Sequence, residues 1–224
     1  MTKDKYSEST IKKTLRTLRR AVHMSGLNET EAGDDPIVLF EKWIAAAVEK
    51  ESFEPNSMVL ATASKDGHPT ARTVLLKDYG PEGFVFYTNY DSRKGLVLTE
   101  NPQASLVFYW GVLMRQVLID GVVTRTGRAT SEDYFHSRPR GSQLAAYVSA
   151  QSRPVKDRKV LTDAMKTAEA EFKGQEIPCP EEWGGYCLQP RRIEFWQGRP
   201  DRMHDRLCYT HRDDGTWKRE RLAP

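Results

Sequence analysis

From Ser57 to Gly127 the hydrophobic pattern keeps the two-residue period of strands through five segments in close succession, which constrains the fold more than any other feature. The segments are MVLATAS, RTVLLK, FVFYT, ASLVFYW and RQVLIDGVVTRTG, with turns expected at Lys65-Asp66-Gly67 and Gly80-Pro81-Glu82-Gly83. Only one short helix, Ser92 to Glu100, is expected among them. Strands that follow one another this closely suggest a Greek-key barrel or a curled antiparallel sheet, not a βαβ array. Thr73 to Leu76 and Phe84 to Thr88 are expected to pair as one hairpin across the Gly80–Gly83 turn.

Residues 1–33 are polar and basic around a thin apolar stripe, Ile11, Leu15, Leu18 and Val22, and read as a flexible N-terminal arm. Asp34-Asp35-Pro36 is a helix start, and Ile37, Phe40, Ile44, Ala47 and Val48 supply that helix with a buried face. A helical insertion is expected at about 131–174. Ser131-Glu132-Asp133 starts its first helix, Ser142 to Ser149 forms the second, and Val160, Leu161, Ala164, Met165, Ala168 and Phe172 mark the third. The stiff connector Ile177-Pro178-Cys179-Pro180 then leads to strands WGGYCLQP, RIEFWQG, DRLCYTHR and TWKRERL, the last two joined at Asp213-Asp214-Gly215. Residues 34–224 thus read as one α+β domain, mainly antiparallel β with peripheral helices, whose barrel is completed from both sides of the insertion.

A hydrophobic content of 38% supports a core, and a formal net charge of +3 is too small to imply nucleic acid. Cys179, Cys187 and Cys208 are odd in number and in no C-x-x-C spacing, so neither a disulfide framework nor a metal site is indicated. The longest nearly apolar stretch, Ala104 to Met114, is far short of a membrane span, and a cytoplasmic protein is expected. No G-x-G-x-x-G or P-loop occurs, so a phosphate would have to be held by side chains. The absence of H-E-x-x-H and G-x-S-x-G disfavours a metalloprotease or serine hydrolase. An organic cofactor that brings its own reactivity fits better.

Two groups of side chains seek anions. Arg72, Lys77, Arg93 and Lys94 surround the hairpin and the start of the helix after it, where free backbone N–H groups and positive potential favour a phosphate. Tyr134, Arg138 and Ser142 are spaced so that a helix turn and the loop after it could enclose a second phosphate. A third group, Trp196 with Arg202 and His204, sets a cation and an imidazole beside a flat aromatic wall.

RTVLLK, FYTNYDSRKG, RQV, YFHSRPRGS, AQSRP, WGGY, IEFWQGRPDRMHDR and the closing RLAP together resemble the pyridoxine (pyridoxamine) 5′-phosphate oxidase family, FMN enzymes with a split-barrel fold. The likeness runs in order from about Asp34 to Pro224. It implies that Arg72, Thr73, Val74, Leu75, Leu76, Lys77, Tyr87, Thr88, Arg93 and Lys94 hold FMN, with Arg93 and Lys94 at its phosphate. Gln116, Gln151, Ser152, Trp196 and Arg206 would also touch the flavin, some from the other subunit of a homodimer. Lys77, Tyr134, Arg138 and Ser142 would grip the substrate phosphate, Arg202 and His204 would cover its ring as the catalytic pair, and Arg19 would reach it from the arm.

The resemblance further implies oxidation of pyridoxine 5′-phosphate or pyridoxamine 5′-phosphate to pyridoxal 5′-phosphate, by hydride transfer to the flavin. Dioxygen would be the final acceptor and hydrogen peroxide a by-product, with ammonia released from the amine. Two positions depart from the family's pattern: Val22 follows Arg19-Arg20 where a Tyr is common, and Glu54 stands where an Asp is common. Other readings are a split-barrel flavin reductase, disfavoured by Tyr134, Arg138, Ser142, Arg202 and His204, and a non-catalytic carrier of FMN or pyridoxal 5′-phosphate.

Overall fold

The computed structural model describes residues 26–51 and 53–224, and two capped helices come first among them. In α1 (Glu29–Ala32) the Asn28 side chain accepts from Glu31 N at 2.9 Å. In α2 (Pro36–Lys50) the Asp35 carboxylate accepts from Ile37 N at 2.8 Å, with Pro36 at the first position, where a missing N–H costs nothing. The buried face of α2 is Leu39, Phe40, Trp43, Ile44 and Ala47. Val48, expected on that face, is 65% exposed, because the stripe that meets the sheet closes at Ala47.

The strands are β1 (Ser57–Ala63), β2 (Pro69–Leu75), β3 (Asp78–Gly80), β4 (Gly83–Asn89), β5 (Gln103–Trp110), β6 (Arg115–Arg125), β7 (Trp183–Gln197), β8 (Asp205–His211) and β9 (Trp217–Arg221). They form one sheet in the order β2-β1-β5-β6-β7-β4-β3, with β8 on β7 and β9 on β8, and every pair is antiparallel. The long strand β7 organises the split. Its first half, Trp183 to Leu188, pairs β4, and its second half, Arg192 to Gln197, pairs β8, while β6 runs along both. The sequence suggested two strands here. They are one, because β6 and β7 absorb Arg191 as an extra residue opposite Asp120 and Gly121.

The expected pairing of Thr73–Leu76 with Phe84–Thr88 is not the one formed. β2 pairs β1, from Ser57 opposite Leu75 to Ala63 opposite Pro69, and the Pro81-Glu82 turn instead closes a shorter hairpin of β3 and β4. The physical reason is that β4 has both edges taken, by β3 and β7, so among the described residues β2 pairs β1 alone and keeps its other edge open. Leu76 and Lys77 step the chain from one hairpin to the next, Leu76 N donating to Asn56 O and Lys77 N to Val85 O, both at 2.8 Å. At the other end of the chain, Asp213-Asp214-Gly215 turns as expected, with Gly215 at φ 83°.

Helix α2 seals one side of the curled sheet. Phe40, fully buried, meets Phe84, Tyr79 and Phe108 edge-on at 5.0–5.2 Å, and Trp43 meets Phe195 at 5.2 Å. The helical segments between strands are α3 (Arg93–Glu100), α4 (Arg128–Ser137), α5 (Arg140–Val148) and α6 (Arg158–Glu171). α4 begins three residues before the expected start, so Ser131 is no cap. It is buried inside the helix, bonded to Gly127 O and Gly185 N. α5 likewise starts before Ser142. These helices bury a satellite core of Phe135, Leu144, Ala168, Ile177 and Trp183 against the sheet.

The end of the expected arm is packed. Leu27 and Ala32 are buried, and Arg221 donates to Leu27 O and to Glu29. Residues 1–25, with the Ile11 to Val22 stripe and Arg19, lie outside the described residues.

Candidate active site

β2, β4, the start of α3 and the insertion meet around a cleft of about 570 Å³. One end is cationic. Lys94, in the first turn of α3, donates to Thr88 Oγ1 at 2.8 Å, Gln151 Oε1 at 2.6 Å and the capping Ser92 Oγ at 3.2 Å. Burial, then the nearby Arg72, lower its pKa to about 8. Arg72 is fixed from below by Leu60 O, Thr62 Oγ1 and Thr70 Oγ1, and its own pKa is lowered by burial and then by Arg93. Arg93 thus bears on Arg72, and Arg72 on Lys94, beside the N-terminus of α3. An anion there relieves all three.

The other end is aromatic and also cationic. Tyr87, Tyr134 and Trp183 lie nearly parallel, with Tyr87 4.0 Å from Tyr134 and 5.5 Å from Trp183. Arg138 lies over the Trp183 ring at 4.8 Å, and its Nη1 is buried with no hydrogen-bond partner among the described residues. Burial lowers its pKa. A buried guanidinium N–H left unpaired is costly, and a phosphate oxygen would satisfy it. Lys77 and Ser142 line the same end. Gly184 and Gly185 let β7 press against the wall behind: a Cβ on Gly184 would sit 2.1 Å from Tyr90 Oη, and one on Gly185 2.5 Å from Thr126 Oγ1.

The structure therefore brings Thr73, Val74, Leu75, Lys77, Tyr87, Thr88, Lys94, Tyr134, Arg138, Ser142 and Gln151 to one cleft. Arg72 and Arg93 stand beside its cationic end without lining it. Leu76 is buried in the core, and Ser152, at φ 71°, is exposed next to Gln151. Asn89 and Trp183 also line the cleft, beyond the residues expected there from the sequence. WGGY was the available signal for Trp183, since two glycines beside an aromatic mark close backbone approach.

Gln116, Trp196, Arg202, His204 and Arg206 do not join that cleft in this protomer. They form a second cluster. Gln116 and Arg206 flank Trp196 in the β6, β7 and β8 ladder, and the Trp196 and His204 rings are 4.6 Å apart. His204 Nδ1 accepts from Arg199 N at 3.0 Å, which leaves Nε2 to carry the proton of the neutral ring. Asp201 and Arg202 both have positive φ, 54° and 61°, a left-handed turn that side chains rarely adopt. Arg206 Nε donates to the buried Glu194 at 2.7 Å. Trp183 and Trp196 lie at opposite ends of β7, separated by roughly 40 Å of strand at about 3.3 Å per residue.

Comparison with known proteins agrees with this geometry. The family model described as pyridoxamine 5′-phosphate oxidase matches residues 44–171. That of the pyridoxine 5′-phosphate oxidase C-terminal dimerisation region matches residues 183–224, which carry Trp196, Arg202, His204 and Arg206 of the second cluster. The chain is 51% identical over 211 residues to the pyridoxine/pyridoxamine 5′-phosphate oxidase of Synechocystis, covering 94% of this chain and 98% of the relative. It is 48% identical to that of Microcystis aeruginosa, covering 92% and 97%. Among solved structures, PhzG from Burkholderia lata, in complex with tetrahydrophenazine-1-carboxylic acid, superposes with a TM-score of 0.84 at 31% identity, covering 91% of this chain and 99% of that one. An FMN-binding, pyridoxamine 5′-phosphate oxidase-related protein from Nostoc punctiforme shares the fold, with a TM-score of 0.68 at 17% identity over 83% and 97%. With the strand order, the cleft and near-complete alignment in agreement, the chain belongs to the pyridoxine/pyridoxamine 5′-phosphate oxidase family.

Proposed function

We propose that the cleft binds FMN at its Lys94 end and a phosphorylated vitamin B6 substrate at its Arg138 end. As a member of its family the protein is an FMN-dependent oxidase of pyridoxine 5′-phosphate and pyridoxamine 5′-phosphate, yielding pyridoxal 5′-phosphate. The observation that carries the assignment is the unpaired, buried Arg138 Nη1, which lines the same cleft as Lys94.

The residues fit a flavin mononucleotide. Lys94, Arg72 and Arg93 supply the charge for a terminal phosphate, and Thr73, Val74 and Leu75 of β2 offer an edge along which a flat ring system can lie. FMN supplies the hydride acceptor, and dioxygen is the final acceptor, leaving as hydrogen peroxide. The protein's own part is placement. Lys77, Tyr134, Arg138 and Ser142 hold the substrate phosphate before and during reaction, which fixes one end of a small rigid ring. Arg202 and His204 cover that ring, His204 as a donor through Nε2, since Nδ1 is occupied.

Those two residues, with Gln116, Trp196 and Arg206, reach a cleft only if a second copy supplies them, so the working unit is a homodimer with two equivalent sites. Ser152 completes the flavin contacts beside Gln151, and Arg19 reaches the substrate from the N-terminal segment. The protein works in the cytoplasm. No helix among the described residues is long and apolar enough to cross a membrane.

The test is direct. Protein loaded with FMN is mixed with pyridoxine 5′-phosphate in air, and the aldehyde absorbance and peroxide are recorded together. Stoichiometric formation of both supports the reading. Bound flavin with no turnover of either B6 phosphate would leave a carrier, and turnover of a reduced nicotinamide instead would leave a flavin reductase.

A further inference from the structure

Asp205 stands between His204 and Arg206, at the first position of β8 opposite Gln197. Its carboxylate is mostly buried and ties together three distant segments. Oδ2 accepts from Leu27 N at 3.1 Å and lies 3.5 Å from Arg199 Nε, while Oδ1 accepts from Arg221 Nη1 at 2.9 Å. Arg221 in turn donates to Leu27 O at 2.9 Å, so the Asp205–Arg221 pair engages both the N–H and the C=O of Leu27. Leu27 itself is buried, and a Cβ on Gly26 would meet Arg199 Nη1 and Asp205 Oδ2 at 3.4 and 3.5 Å. The N-terminal segment therefore joins the fold against the base of the Arg199–His204 loop.

That loop is largely exposed, with two successive left-handed residues, Asp201 and Arg202, and its internal ties include the bonds from Arg199 N to His204 Nδ1 at 3.0 Å and from Met203 N to Pro200 O at 3.1 Å. Left-handed backbone at non-glycine residues persists only where the surroundings over-determine it. The Arg199 guanidinium on Asp205 anchors the loop's start to its end, one residue beyond His204.

We propose that Asp205 is a positioning residue for the reaction. It locks Arg199 to the incoming N-terminal segment, and so sets the loop that presents Arg202 and His204. The proposal rests on the reading of those two residues as the groups that cover the substrate ring. The Asp205 carboxylate is engaged by Leu27 N, Arg221 and Arg199. Its effect passes through Arg199, and the seating of Leu27 contributes to it.

A double-mutant cycle tests this. Asp205→Asn keeps an acceptor for Leu27 N but loses the charge that holds Arg199, and kcat is expected to fall about tenfold while KM for pyridoxine 5′-phosphate changes about twofold or less. His204→Asn is expected to lower kcat as well. In the double variant the losses should not multiply, because a displaced loop no longer delivers His204. Multiplying losses would overturn the proposal. A His204→Asn enzyme with unchanged kcat would overturn the underlying reading of the loop, and the proposal with it. If Asp205→Asn fails to fold, Arg199→Met cuts the same tie from the loop side. Its cycle with His204→Asn should be equally non-multiplicative, and multiplying losses there would overturn the proposal in the same way.

Discussion

Lys94 Nζ donates at 2.6 Å to the side-chain oxygen of Gln151, a residue 57 positions further along the chain. The same ammonium bonds Thr88, the Thr88 hydroxyl also donates to Gln151 at 3.0 Å, and so a neutral oxygen from the insertion sits among donors suited to an anion. The contact joins the two halves of the cleft. The buried ammonium also sets how phosphate binding depends on pH.

In the ligand-free cleft, burial and then Arg72 hold Lys94 down to about 8. A phosphate beside it raises that value, so binding takes up a proton near and above pH 8. FMN affinity, measured by flavin fluorescence titration, is expected to be flat just below that pH and to weaken by up to about tenfold per pH unit above it. Lys94→Met should bind FMN roughly 10- to 100-fold more weakly, for loss of a charge-assisted bond of about 1.5–3 kcal/mol, and should lose the pH slope. The folding linkage has the opposite benefit. A lysine whose folded pKa lies below its unfolded one destabilises the fold in full below pH 8, and the penalty fades as pH rises from 8 towards the unfolded value of 10.5. Ligand-free Lys94→Met is therefore expected to melt higher than the parent at pH 7.

Arg138→Ala removes the guanidinium whose Nη1 is buried without a partner. On the proposed role, a hold on the substrate phosphate in both the ground state and the transition state, KM should rise about tenfold or more with kcat little changed. FMN affinity should stay as it was. A matching fall in kcat with KM unchanged would place Arg138 in the chemistry instead.

Glu194 is 4% exposed between Arg192 and Arg206, at 2.6 and 2.7 Å. Burial pushes its pKa up, but the bonds from Arg206 and Arg192 outweigh this and hold it below the ordinary carboxylate value. Its stabilising contribution is therefore complete above the unfolded pKa of a glutamate and is lost as pH falls through the lower folded value. Glu194→Gln removes the carboxylate shared by Arg206 and Arg192, but both are about a third exposed and Arg192 keeps Asp120 at 3.3 Å, so urea unfolding at pH 7 should show a loss of about 1–3 kcal/mol.

Gly184→Ala would drive a methyl group to 2.1 Å from the Tyr90 hydroxyl. Either β7 or Tyr90 must move, and both support the cleft wall. A loss of about 1–3 kcal/mol is expected by denaturant unfolding, with weaker substrate binding because Trp183 shifts under Arg138.

Periodicity and punctuation made most elements legible. The strand period from Ser57 onward, Pro36 after an acidic cap, Ser92 before α3 and the Asp214-Gly215 turn are local signals, set by side-chain alternation and backbone preference within a few residues. The partner of a strand is not local. Thr73–Leu75 could pair forward or backward, and it pairs back to β1 while β4 takes β3 and β7 on its two edges. Ser131 shows the same limit on a smaller scale: a serine before an acidic pair looks like a cap, yet here its hydroxyl was needed inside α4 to satisfy Gly185 N.

The identities of the site residues were likewise written in the chain, in motifs that resemble one family and in two separate sets of phosphate-seeking groups. Their grouping was not. Tertiary structure decided that Lys94 meets Gln151 and that Tyr87, Tyr134 and Trp183 stack, because such contacts depend on how the insertion packs against β4 and β7. It also decided that Trp196 and His204 stand with Arg206 at the far end of β7, away from the cleft. A sequence names the chemistry available, since charge, aromaticity and chain flexibility belong to single residues. Distance between residues far apart in the chain belongs to the fold alone.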